Sequence, residues 1–133
     1  EGINITIHAG EGDGVQSIQE ALDNGAKRIG HGVRIIEDIS VDNKLGPTAD
    51  HILQNNIPLE VCITSNLHTN MYKNPQDHPI SRLHNLGFNI SLNTDNRLMS
   101  NTSIDNELNV AKAAGIENPT SLLKYSASDS FLN

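Results

Sequence analysis

The chain has 133 residues, 36% of them apolar and only four aromatic (Tyr72, Phe88, Tyr125 and Phe131), so it can bury one modest core built from Ile, Leu, Val and Ala. Nine Lys and Arg stand against sixteen Asp and Glu, a net charge of -7, and the basic residues are scattered singly, which excludes the basic stripe that a nucleic-acid backbone or an anionic membrane requires. Cys62 is the only cysteine, ruling out an internal disulfide, and no apolar run reaches the roughly 20 residues of a membrane helix, so a cytoplasmic, reducing setting is expected.

Ile3, Ile5 and Ile7 alternate with Asn4 and Thr6, which predicts a strand over 2–8. A glycine-rich loop over 9–14 follows. Val15, Ile18 and Leu22 then recur at helical spacing beside Ala21, with Gly25 placed as a C-terminal cap. A very short second strand is predicted over 28–30, ending at His31, and Val33, Ile35 and Ile36 form a connection of mixed character. The helix predicted over 47–55 has Pro47 in its first turn and Ala49, Ile52 and Leu53 on one face.

A third strand is predicted over 58–63, with Cys62 near its end and a polar loop over 64–77 after it. Asp77 and Pro79 mark the start of a helix whose apolar stripe is Ile80, Leu83 and Leu86 and whose stop is Gly87. A fourth strand over 88–92 runs into Asn93-Thr94-Asp95-Asn96. A helix over 104–114 follows, capped by Thr102 or Ser103, with Ile104, Leu108 and Ala111 inward and Gly115 at its end. The pair Asn118-Pro119 predicts a last helix through Leu122, Leu123 and Tyr125.

Strand and helix alternating four times imply an α/β chain of about four parallel (β/α) units, half of a TIM-type (β/α)8 barrel. By themselves four units leave two unpaired sheet edges, through which the chain is expected to self-associate. Glu60, charged inside a strand, is expected to pair with a group on a strand outside this chain. The chain begins at Glu1 rather than Met, directly before a strand, so a piece of a longer protein is expected.

His8, Glu11, His31 and Asp95 follow short apolar runs, where a parallel barrel places its chemistry. A neutral His8 ring at a strand end could ligate Zn²⁺, or it could bond to backbone. Asp95 could be a carboxylate ligand that also takes a proton from a bound water, but Asn-Thr-Asp-Asn is equally ordinary turn chemistry. Glu11 lies in a glycine-flanked loop three residues past His8, as a general acid of raised pKa or as a solvated loop residue. His31, between two glycines, is placed for access and could orient or deprotonate a water. His51, His68, His78 and His84 read as surface or loop residues. Cys62 reads as a small buried apolar residue without a nearby base to activate it.

Together, His-Ala-Gly-Glu at 8–11, Arg-Ile-Gly-His-Gly at 28–32, Leu-Glu-Val-Cys-Ile-Thr-Ser-Asn at 59–66 and Ser-Leu-Asn-Thr-Asp-Asn at 91–96 resemble the adenosine deaminase family of metal-dependent amidohydrolase-like barrels. The resemblance runs over essentially the whole chain, 1–133, as the C-terminal half of that barrel. It implies that His8 and Asp95 ligate zinc, that Glu11 gives a proton to N1 of the purine, that His31 orients the attacking water and that Asp95 takes a proton from it. It further implies substrate contacts from Gly10 and Asn96, and the hydrolysis of adenosine to inosine and ammonia. Two protein ligands fall short of the three usual for a catalytic zinc, and the family's His-x-His pair lies on a first strand not present here, so this chain alone is expected to be inactive.

Asn96 stands where many members carry a second aspartate, and its amide donates to purine N7 at any pH, compatible with adenosine or another 6-aminopurine. Ile63 stands where a proline is common. Two other expectations remain beside deamination of adenosine: a deaminase of adenine or a modified nucleoside, and a non-catalytic half-barrel that serves as an assembly module.

Overall fold

The structure, a computed structural model, describes residues 5–93 and 103–123. The start of the first predicted strand, the turn holding Asp95 and Asn96, the Thr102 cap and the last predicted helix past Leu123 lie outside the described residues.

Four short strands, β1 (Thr6–Ala9), β2 (Arg28–His31), β3 (Leu59–Val61) and β4 (Ile90–Leu92), pair in parallel in the order β1-β2-β3-β4. Between them run α1 (Val15–Asp23), α2 (Pro47–Gln54), α3 (Ile63–His68) and α4 (Ile80–Asn85), with α5 (Ile104–Ala113) after β4. In a sequential parallel order, crossovers of one hand lay the helices on one face of the sheet. The four tandem (β/α) units expected from the alternation are present.

The register sets His8 opposite Gly30, Gly30 opposite Glu60 and Glu60 opposite Ser91. Partners at one level of a parallel ladder point the same way and successive residues alternate. One face therefore carries Thr6, His8, Arg28, Glu60 and Ser91, and the other Ile7, Ile29, Leu59, Val61, Ile90 and Leu92. The second face packs on Ile18 and Ala21 of α1, Ala49 and Ile52 of α2, Ile80 and Leu83 of α4 and Ala111 of α5. Each large aliphatic side chain fully buried there is worth about 1.5–3 kcal/mol.

Several expectations need correction, among them Ile104, expected inward but 41% exposed. Glu60 pairs within the sheet, its carboxylate 3.1 Å from Nη1 of Arg28, because residues two apart on neighbouring strands share a face and the long arginine reaches diagonally. The stretch read as a polar loop contains α3 and a 3₁₀ turn, Pro75–Asp77. Six residues leave no room for an apolar period, and the N-terminus of α3 is held from far away: Oε2 of the fully buried Glu107, on α5, accepts the amide protons of Ile63 (3.1 Å) and Thr64 (3.4 Å). His78, read as a surface residue, is buried, 3% exposed.

The connection after β2 is a 3₁₀ turn, Val33–Asp38, with Val33 and Ile35 in the core. It also caps α2: Gly46 has no side chain to offer, and Oδ2 of Asp38 accepts the Ala49 amide proton at 2.8 Å. For α5 the cap is Ser103, whose hydroxyl accepts the Asn106 amide proton at 3.2 Å. In place of the start of a last helix stands a 3₁₀ turn, Pro119–Leu123.

Candidate active site

Those residues predicted to carry chemistry that the structure describes, His8, Gly10, Glu11 and His31, gather where the first two parallel strands end. β1 passes through His8 into a turn at Gly10 (φ 71°), whose amide donates to the Ser17 hydroxyl at 3.0 Å. A Cβ at Gly10 would meet the Ile18 side chain at 2.5 Å, so glycine is required for α1 to close on the strand end. Arg34 then holds the loop from both sides: its amide donates to the Gly10 carbonyl (3.0 Å) and its Nη1 to the Gly12 carbonyl (2.9 Å). Glu11 sits between these two anchors.

β2 ends on His31, which is left-handed at φ 69° although it carries a side chain, and Gly32 continues the turn at φ 71°. A non-glycine residue there costs about 1–2 kcal/mol, and such strain collects at functional sites. The turn is latched to β1 by the Gly32 amide on the Ala9 carbonyl, 2.9 Å. It drives the imidazole of His31 inward, 2% exposed, with Nε2 3.3 Å from Oε2 of Glu11. Edge-on to it lies the exposed ring of His8, with centroids 5.1 Å apart and planes at 78°.

The other carboxylate oxygen of Glu11 is held from α3. Oε1 accepts Nδ2 of Asn66 at 2.9 Å and the Ser65 hydroxyl at 3.4 Å. Asn66 is fully buried, and its Oδ1 meets Nε2 of His78 at 2.9 Å; Nδ1 of His78 accepts the Ile80 amide proton at 3.1 Å. Burial lowers the pKa of His78 to about 4, so the ring is neutral near pH 7. The ring of Tyr72 packs on it at 5.0 Å. Burial, and after it the Glu37 carboxylate, raises the Tyr72 phenol above its ordinary value.

Two hollows meet at Glu11. One, of about 150 Å³, lies among His8, Gly10, Glu11, Ser17 and His31. The second, about 430 Å³, is bounded by Glu11, Arg34, Glu37, Thr69, Met71 and Tyr72, a volume that suits a small ligand.

His8, Gly10, Glu11 and His31 are thus brought together, whereas Asp95 and Asn96 lie outside the described residues. Among the described residues no three His, Cys, Asp or Glu side chains converge on one point as metal ligands. What is present suits zinc in kind: an imidazole at a strand end, resting in a cradle over Gly30 that a Cβ would fill. Asn66 and His78 escaped the reading of the sequence. The available signal was the Ser-Asn pair within the 59–66 motif and a His-Pro step opening a buried helix.

A strand-end acid and histidines on tandem parallel (β/α) units define a portion of a (β/α)8-type enzyme barrel. The chain belongs to the adenosine deaminase family, whose model matches residues 1–127. It is 49% identical over 112 residues to adenosine deaminase 1 of Streptomyces coelicolor, an alignment covering 80% of this chain and 28% of that protein. Among solved structures it is similar to an adenine deaminase from Arthrobacter aurescens, with a TM-score of 0.82 and 27% identity over 97% of this chain and 38% of that one. An amidohydrolase from Burkholderia ambifaria, crystallised with bound Zn, shares the fold at a TM-score of 0.69 and 20% identity, covering 85% of this chain and 31% of its own. The chain spans less than a third of the length of the curated relative it matches.

Proposed function

We propose that residues 1–133 form the C-terminal half of the (β/α)8 barrel of a zinc-dependent deaminase that hydrolyses adenosine to inosine and ammonia. The observation that carries this reading is the convergence of Glu11 and His31 at 3.3 Å beside the exposed ring of His8, all from the ends of two adjacent strands. The 49% identity to a curated adenosine deaminase supports it.

In this reading His8 and Asp95 hold the zinc, together with ligands from the remainder of the barrel. Bound Zn²⁺ lowers the pKa of a water to about 7 and so supplies a nucleophile near neutral pH. Glu11 gives a proton to N1 of the purine while water adds at C6 and ammonia leaves. His31, fixed by its left-handed backbone and by Glu11, orients the attacking water; Asp95 takes one proton of that water and passes it to the C6 amine, which leaves as ammonia, while the remaining hydroxyl proton returns to Glu11 as the C6 carbonyl forms. Gly10, which lines the smaller hollow, contacts the substrate, and the Asn96 amide donates to N7. With Oε1 of Glu11 already accepting from Asn66 and Ser65, Oε2 is the oxygen that carries the mobile proton.

The single thiol, Cys62, fits a cytoplasmic setting, and no helix among the described residues is long and apolar enough to cross a membrane. Among the described residues β1 and β4 each pair on one side only, which supports association through the open edges when the chain is isolated. A second substrate, adenine, is favoured by one observation, the match over 97% of this chain to an adenine deaminase.

The test is loss of adenosine absorbance as inosine forms, using the full-length protein and the 133-residue chain side by side with added Zn²⁺. Activity confined to the full-length protein, and lowered at least about 100-fold by Glu11→Gln, supports the reading. Turnover of adenine in preference to adenosine moves the substrate, and no turnover of any 6-aminopurine overturns it.

A further inference from the structure

We propose that Asn66 and His78 are positioning residues for Glu11, a relay that fixes which carboxylate oxygen faces the substrate. The inference rests on the reading of Glu11 as the proton donor, and deepens it.

Glu11 needs such a device. Its neighbours in the chain are glycines, and it lies in an irregular turn whose anchors hold backbone but leave three side-chain torsions free. The direction of the relay is set by backbone. The Ile80 amide, in the first turn of α4, donates to Nδ1 of His78, so the proton of the neutral ring sits on Nε2. Nε2–H then donates to Oδ1 of Asn66, 2.9 Å away, and the amide is forced to turn its Nδ2 toward Oε1 of Glu11, also 2.9 Å. The reversed amide would set donor against donor at His78 and oxygen against oxygen at Glu11, in a site where neither residue can turn to water: Asn66 is 0% and His78 3% exposed.

Each member is fixed in turn. The backbone of Asn66 lies within α3, which Glu107 anchors, and the Met71 amide donates to the Asn66 carbonyl at 3.0 Å. Tyr72 closes over the His78 ring. Oε1 is left as an acceptor only, and Oε2 keeps the position beside His31. A purely structural polar cluster would have no reason to end on the partly exposed carboxylate, 26% accessible, at which the two hollows meet.

The experiment uses the full-length, zinc-loaded protein with Asn66→Ala, the isosteric Asn66→Asp, His78→Leu and His78→Gln. Displacing a catalytic group by about 1 Å costs on the order of 100-fold, so kcat is expected to fall about 10- to 100-fold in the Ala, Asp and Leu variants while KM stays within about twofold. His78→Gln is expected to recover most of that loss, because its amide can still donate to Oδ1 of Asn66. A crystal structure of Asn66→Ala, or of Asn66→Asp if the former does not fold, is expected to show the Glu11 carboxylate displaced. That readout is independent of turnover, and it decides the inference even if the wild type deaminates none of the purines offered. An unmoved Glu11 overturns the proposal. So does a kcat loss that merely follows the folded fraction, with His78→Gln no better than His78→Leu.

Discussion

The imidazole of His8 rests on the bare Cα of Gly30, its partner in the β1–β2 register: a Cβ at position 30 would come within 2.7 Å of Cδ2 and 3.1 Å of Nε2. The ring of His8 is solvent-exposed, so it is the ring that yields, not the strand. Gly30→Ala is therefore expected to leave the fold intact and push the imidazole off its place. Misplaced support of a metal ligand typically costs 10- to 100-fold in affinity, and a loss of that size is expected when zinc is titrated against a competing chelator in the full-length protein. Unchanged zinc affinity would separate His8 from the metal.

His78 imposes a pH dependence of known sign. Its ordinary pKa of 6.5 falls to about 4 in the folded chain through burial. Above pH 6.5 the ring is neutral in both states and its contribution to stability is complete. Between about 6.5 and about 4 the unfolded chain takes up a proton that the folded ring refuses, so stability declines on acidification, by about 3 kcal/mol at most, and levels off below the folded value. Urea denaturation of wild type and His78→Gln across this window is expected to show a shallower acid slope for the variant. Equal slopes would mean that the folded ring takes up its proton over the same pH range as the unfolded one.

The C-terminal part of the first predicted strand and the later strands were legible because these runs, though only three or four residues long, are apolar and bounded by glycine, proline and polar turns. Glu11, His8 and His31 were legible for a related reason, since each follows such a run, and the glycines around His31 announced a turn that its positive φ confirms. The helix after β3 was not. Its N-terminus is satisfied by Glu107, 44 residues away from Ile63, and no local pattern carries that information. Asn66 and His78 escaped for the same cause: polar residues in segments without a period acquire meaning only when packing aligns them. The partner of Glu60 is invisible in the sequence because only the register of β2 on β3 sets Arg28 and Glu60 on one face.

Glu107 offers a stability test away from the chemistry. Its carboxylate is 0% exposed and accepts two amide protons at the start of α3. Glu107→Gln keeps the shape but presents an amide nitrogen or a weaker neutral acceptor to those donors, and a buried donor left poorly satisfied costs about 1–3 kcal/mol. A fall of that order in unfolding free energy is expected from denaturant melts, with Glu107→Ala lower still. Because α3 carries Asn66, kcat should fall with it. A variant as stable as wild type would show that α3 is held by packing alone.

Metal removal tests the remaining half of the assignment. If His8 joins β1 to a metal that Asp95 also holds, zinc ties the first strand of this chain to the segment after the fourth, and ligand binding to the folded state alone stabilises it by about 4 kcal/mol when free metal is 1,000-fold above Kd. Chelation of the full-length protein is then expected to abolish deamination and lower the melting midpoint, with both restored by Zn²⁺. His8→Ala should melt at the chelated midpoint whether or not zinc is present, whereas Glu11→Gln, inactive by the same assay, should keep the full zinc-dependent shift. A His8→Ala protein that still gains stability from zinc would remove His8 from the ligand set while leaving the pairing of Glu11 with His31 standing.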